Sequence, residues 1–134
     1  MTKRATGPFE VKITPAHVAE AIADPAFGSM TFDKTFHGGL EGTSKGQMLT
    51  AGTARKDSGA YVAVEKFTGT LDGKKGSFLM YHAATMNRGT PNLGINVVPD
   101  SGTDDLAGLS GKINIIIAPD GKHTYEFDYA FAEN

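Results

Sequence analysis

Apolar and polar residues alternate along most of this chain, and that alternation predicts β-strands. The clearest run is residues 8–14, where every second side chain from Phe9 to Ile13 is apolar. A second run shares one phase through Phe32, Phe36 and Leu40, although Lys34 interrupts it. In all, eight strands are predicted, at residues 8–14, 30–40, 47–54, 61–71, 77–86, 93–98, 106–109 and 123–131. A continuation of the seventh strand into residues 112–118 is left open.

One segment departs from this pattern. Residues 15–24 predict a short helix, because Pro15 suits a first turn, Val18 and Ile22 lie four residues apart, and Pro25 would end it. The segment is short and rich in alanine, so an irregular loop is the alternative interpretation.

Short turns connect the predicted strands, and no crossover helix separates them. The Asp72-Gly73 pair, for example, is typical of a hairpin turn. Such an order predicts an up-and-down meander, and eight strands remove their exposed edges by closing. We therefore predict one all-β domain over residues 1–134, an eight-stranded closed antiparallel barrel with at most one short helix. The inward side chains would include Glu65, Phe67, His82 and Phe127, and the outward ones Lys66, Thr68, Glu126 and Asp128.

A five-residue pattern occurs three times, at residues 38–42, 69–73 and 107–111. The first two copies read Gly-x-Leu-x-Gly, and the third has alanine for the first glycine. In an extended strand, the leucine and the two small residues share one face. This arrangement favours sharply bent strands, as at the corner of a barrel.

Composition narrows the classes of function. A net charge of −2 gives no electrostatic footprint for nucleic acid. The absence of cysteine excludes disulfides, thiolate nucleophiles and cysteine-ligated zinc, and no two histidines have metal-ligand spacing. No apolar run approaches the ~18 residues of a membrane helix, and no apolar segment of a signal peptide follows Lys3-Arg4. We expect a cytoplasmic protein without a metal, cofactor, nucleic-acid or membrane partner.

Six stretches resemble the signature of a small, mainly bacterial family known as domain of unknown function 3224. They read FxGxLEGTSxGxML from Phe36, YVAxE from Tyr61, GTLDGxxGSF from Gly69, HxxTMxRG from His82, VPDSGT from Val98 and LAGLSG from Leu106. The resemblance spans residues 30–129 and implies a closed meander similar to the allene oxide cyclase barrel, with no assigned activity. Residues 14–29 depart from the family, whose members tend to carry a tryptophan-containing acidic loop there. If this segment lines a barrel mouth, ligand choice would differ from that of relatives.

Glu65 and His82 are the strongest candidates for chemistry. Both lie in the inward phase of neighbouring strands, directly opposite if Leu71 pairs with Gly76, and diagonal after a two-residue shift. Desolvation alone would raise the pKa of Glu65. A carboxylate beside an imidazole is a pair of groups that can act as general acid and general base. The alternatives are a buried pair that braces two strands, which we favour, and two polar tips in contact with water.

The remaining candidates would line an interior site. Tyr61, Phe67, Met80 and Met86 point inward, and Arg88 follows the fifth strand in a loop where it could meet a ligand carboxylate. Side chains can fill the interior of an eight-stranded barrel, but four small residues would leave room for a cavity: Gly38, Gly46, Gly69 and Ala84.

Three hypotheses for function follow. The first is a non-enzymatic barrel that binds a small apolar molecule with a polar end, using the residues above. The second is an isomerase or cyclase-like enzyme that uses Glu65 and His82. The third is a structural homo-oligomer that acts through its surface, with outward Leu79 and Tyr81 at a subunit contact.

Overall fold

Eight antiparallel strands form a closed barrel in the computed structural model, which describes residues 2–132. The strands are β1 (Lys3–Ala16), β2 (Phe27–Phe36), β3 (Leu40–Gly52), β4 (Gly59–Leu71), β5 (Lys74–Asn87), β6 (Thr90–Val97), β7 (Leu109–Ile117) and β8 (His123–Phe131). Each strand pairs with the next, and β8 pairs with β1 from Lys3↔Tyr129 to Phe9↔His123. The predicted eight-stranded barrel is confirmed.

The predicted helix over residues 15–24 is wrong. Pro15 and Ala16 continue β1 and pair with β2, and only Glu20–Ile22 forms a single 3₁₀ turn. A short alanine-rich segment gains little from helix formation, whereas its first residues gain pairing partners in the sheet. The other 3₁₀ turn is Asp104–Leu106, and no helical segment within residues 2–132 has the length and apolarity to cross a membrane.

Several predicted strand bounds were also wrong. Leu40 begins β3 instead of ending the second strand, and β3 includes residues 41–46, which were predicted to lie outside any strand. Leu106 lies in a 3₁₀ turn, so β7 starts only at Leu109. Polar residues such as Lys45 have partners on both neighbouring strands, so backbone pairing extends the strands beyond their apolar runs.

The three repeated pentads lie where strands begin or end. Their leucines, Leu40, Leu71 and Leu109, are buried at 0, 1 and 3% exposure. Gly42 and Gly69 are direct register partners, and a Cβ atom on Gly69 would collide with the carbonyl oxygen of Glu41. Glycine at this pair therefore allows the close backbone approach that the predicted bend requires.

The two ends of the barrel differ. At one end, which we call the capped end, the 98–108 connection covers the interior and Leu106 is 0% exposed. At the other, the open end, four apolar residues of the inward phase remain exposed: Ile13 at 51%, Met86 at 42%, Leu93 at 37% and Ile117 at 63%. The packed core thus occupies the capped half, and the apolar lining continues uncovered to the open end.

Candidate functional site

Four polar side chains meet inside the barrel and form what we call the polar cluster. Lys34, Ser44, Glu65 and His82 come from β2, β3, β4 and β5, and all are buried, with exposures of 8, 4, 2 and 5%. Alternation along each strand turns these positions inward together with the aromatic core. The predicted inward positions of Glu65 and His82 are confirmed.

The carboxylate of Glu65 is the centre of the cluster. Its Oε1 atom accepts a hydrogen bond from Lys34 Nζ at 3.1 Å and lies 2.8 Å from His82 Nε2, while the Ser44 hydroxyl donates to Oε2. Glu65 pairs with Met80 and His82 pairs with Ala63, so the two side chains are diagonal neighbours. This is the two-residue-shifted arrangement, and it brings the predicted pair into contact.

Three phenylalanine rings surround the ammonium group of Lys34. Its Nζ atom lies 5.4, 5.2 and 5.9 Å from the ring centroids of Phe9, Phe32 and Phe36. Ring faces attract a cation, and a desolvated cation–π contact is worth up to ~2 kcal/mol. Lys34 is therefore held by one carboxylate and an aromatic cage.

Desolvation acts on the pKa of Glu65 in the expected upward direction, but the net shift is downward. Burial does disfavour the charged carboxylate, but the hydrogen bond from His82, the charge of Lys34 and the hydroxyl of Ser44 together lower its pKa. The prediction considered desolvation without the buried cation. A carboxylate held ionised in this way is suited to bracing strands and less suited to proton transfer near neutral pH.

The polar cluster is closed to solvent-sized molecules. The void beside Lys34, Glu65 and Met80 has no room for a water molecule, and no buried side-chain polar atom in residues 2–132 lacks a hydrogen-bond partner. A site for a substrate would need space and an unsatisfied group next to the carboxylate, and the cluster offers neither.

The small residues predicted to leave room for a cavity do not all do so. A Cβ atom on Gly46 would lie 2.6 Å from the Phe32 ring, so that ring already occupies the space. Gly69 is closed by the backbone of β3, and Gly38 lies in the β2–β3 turn. Of the four, Ala84 borders a pocket at the open end, whereas Gly46 borders a groove that also involves outward residues such as Lys45 and Lys66.

This open-end pocket has a volume of about 490 Å³. Tyr61, Ala84, Met86 and Leu93 are among its lining residues, and Lys56 stands at its rim. Tyr61 is half-buried, its ring centroid 6.3 Å from that of His82, and burial and then the negative charge of Glu65 raise its pKa. Tyr61 therefore lies between the pocket and the polar cluster.

The other predicted site residues are spread over the barrel. Phe67 is fully buried against Phe36 and Phe78 in the packed core, and Met80 lies beside Glu65. Arg88 is exposed on the β5–β6 turn, where its backbone N–H donates to the Ser58 hydroxyl at 3.0 Å. Tyr61 and Met86 are thus the two predicted residues that border the open-end pocket.

Two members of the polar cluster were missed in the sequence. Lys34 occupies every second position together with Phe32 and Phe36, so the strand phase itself places it inside. Strict adherence to the alternation would have found it, although a lysine is rarely buried without a partner. Ser44 belongs to β3, whose polar first half the sequence did not identify as a strand.

The atypical segment lies on the outside of the barrel. His17, Val18 and Ile22 border a groove of about 730 Å³ against outward residues of β3 and β4, among them Leu49 and Val62. The open-end pocket has no lining residue from this segment.

Residues 2–132 contain no group of three histidine or acidic residues able to hold a metal ion.

Comparison with known proteins places the barrel in a family. The sequence profile of "Protein of unknown function (DUF3224)" matches residues 5–129. The chain belongs to the DUF3224 family. A crystal structure of a DUF3224 protein of unknown function from Shewanella oneidensis MR-1 is similar over 100% of both chains, with 43% identity and a TM-score of 0.92. No curated protein matches the chain. The similarity to DUF3224 proteins therefore supports the fold and indicates no activity.

Proposed function

We propose that this DUF3224 protein binds a small, largely apolar molecule at the open end of its barrel, without chemical conversion. The observation that carries the proposal is the uncovered apolar lining beside the pocket, since Leu93 and Met86 belong to the inward phase yet are 37 and 42% exposed. The pocket volume of about 490 Å³ lies within the ~300–1,000 Å³ typical of small-molecule sites.

The rim of the pocket supports a ligand with one polar end. Lys56 lines the pocket, and Arg88 lies on the adjacent turn, so a carboxylate or carbonyl at the entrance would meet cationic groups. Tyr61 offers a hydroxyl at the inner side. In this proposal Glu65 and His82 stabilise the strands beneath the open-end pocket and do not contact the ligand.

Nothing in the geometry favours the isomerase or cyclase alternative. General acid–base catalysis needs the reacting group within ~3 Å of the acid or base, and the space beside Glu65 admits no water.

We propose the cytoplasm as the compartment, because a chain without cysteine is compatible with a reducing environment.

The test is native mass spectrometry of gently purified protein, followed by titration with the apolar fluorophore anilinonaphthalene sulfonate. Leu93→Glu places a negative charge in the lining, which repels the sulfonate of the probe and disfavours its apolar rings, and should weaken probe binding at least ~10-fold, or about 1.4 kcal/mol. Val64→Lys, on the outer wall, and His82→Gln, beneath the pocket, should leave the affinity unchanged. A probe that binds Leu93→Glu normally, or is lost with Val64→Lys, would show that the open end is not the site.

A further inference from the structure

A second apolar region lies on the outside of the barrel, across β3, β4 and β5. Six outward or adjoining side chains form it, each between 41 and 63% exposed, and we call it the apolar outer face: Ile22, Leu49, Val62, Val64, Leu79 and Tyr81. Register makes it continuous, because Leu49 pairs with Val62 and Val64 pairs with Tyr81. The outer wall of β8 and β1 has charged residues instead, such as Arg4 beside Asp128.

The shape of this face suits a macromolecule better than a small ligand. The groove of about 730 Å³ beside Ile22 adjoins another of about 720 Å³, and both are bordered by Gln47 and Val64. Because they share these residues, the two grooves lie side by side and together extend over four strands, from β2 to β5. At the exposures given above, the six residues present roughly 500–600 Å² of mostly apolar surface, which is at the upper end for a patch on a monomer and about two-thirds of the ~800 Å² that each partner buries in a standard interface.

The charges at the edge of the face indicate which partner fits. Lys45 and Lys66 are direct register partners, and Asp33 pairs with Lys45 from the other side. Like charges directly opposite one another are destabilising. Within residues 2–132, none of these three side chains takes part in an ion pair. Lys66 has a lysine and a leucine as its register partners, so an aspartate from another surface could supply the carboxylate that it lacks.

We propose that the apolar outer face binds the same face of a second copy of this chain, forming a two-fold symmetric dimer. In such an interface each patch is its own complement, so Asp33 of each copy can approach a lysine of the other. A net charge of only −2 gives little repulsion between copies. Val62 and Val64, at 55 and 63% exposure, lie at the centre of the contact.

Sedimentation equilibrium of the full chain over a concentration series tests the dimer. The expected mass at high concentration is twice the 14.1 kDa of the chain. Val64→Lys should raise the dissociation constant at least ~30-fold, as for a central interface residue. Asn114→Lys, an exposed outward position on β7, is the matched control and should change nothing. Circular dichroism verifies the fold, and Leu79→Lys serves as a second variant of the face.

Each other outcome overturns the proposal. A mass of 14.1 kDa at every concentration would mean that the face is bare or serves another partner. A dimer that Val64→Lys and Leu79→Lys leave intact would place the interface elsewhere. An assembly larger than two chains would exclude the two-fold arrangement. Probe binding at the open end is a separate measurement, so the dimer and the open-end ligand site can each be refuted independently of the other.

Discussion

The capped and open ends of this barrel are built from the same alternating strands, yet they have opposite properties. At the capped end, Leu71 and Leu106 are almost completely buried. At the open end, Leu93 and Ile117 have the same inward phase and remain exposed. The difference lies in the connections, since residues 98–108 cover one end, whereas the β1–β2 connection borders the groove on the outer wall. Strand phase decides which way a side chain points, and loops decide whether it is covered.

The largest expected effect comes from breaking the polar cluster, which belongs to the packed half. Glu65→Gln removes the carboxylate and leaves the ammonium of Lys34 buried without its counter-charge. Removing one partner of a buried ion pair costs ~3–5 kcal/mol. Urea unfolding should show a loss of this size, and probe binding at the open end should be retained. A loss below ~1 kcal/mol would contradict the bracing role assigned to the cluster.

A matched pair of leucine truncations compares the two ends directly. Leu71→Ala, at 1% exposure, creates a cavity in the capped end and should cost ~2–5 kcal/mol of unfolding free energy. Leu93→Ala, at 37% exposure, removes a side chain already in contact with solvent and should cost about 1 kcal/mol or less. Chemical denaturation measures both. Equal losses would mean that the open end is packed as tightly as the capped end.

The smallest effect is a pH dependence that follows from Glu65. The folded-state pKa of this carboxyl lies below its ordinary value, so its contribution to stability is fully present above the unfolded pKa. That contribution is lost as the pH falls through the folded-state pKa. The stability difference between wild type and Glu65→Gln should therefore stay constant from neutral pH down to the unfolded pKa of about 4.3 and shrink below it. A difference that stays constant down to pH ~3 would contradict the lowered pKa.

Local sequence could identify the pair at the centre of the cluster. Glu65 and His82 each occupy an inward phase, and the hairpin around Asp72-Gly73 leaves only a small choice of register. Both registers considered keep the two side chains within reach. Lys34 was not identified, because burial of a lysine depends on a carboxylate 31 positions away along the chain. For the same reason, desolvation alone could not give the net direction of the Glu65 pKa shift.

The outer wall was harder to predict than the interior. In the run from Tyr61 to Val64, residues on both faces of β4 are apolar or aromatic, so alternation cannot separate the core side from the solvent side. Leu79 and Tyr81 were identified as outward, but their joining with Val62 and Val64 into one face depends on the register of three strands.

The sequence by itself determined the strand count, the meander order and the closure, because alternation, short turns and bent glycine-leucine segments are local properties. The tertiary structure alone decided what surrounds each side chain. Glu65 gained Lys34 from β2 and Ser44 from β3, Leu93 stayed uncovered, and the predicted helix gave way to a longer β1. Solvation, charge pairing and coverage depend on neighbours distant in sequence, and those neighbours are fixed only when the barrel closes.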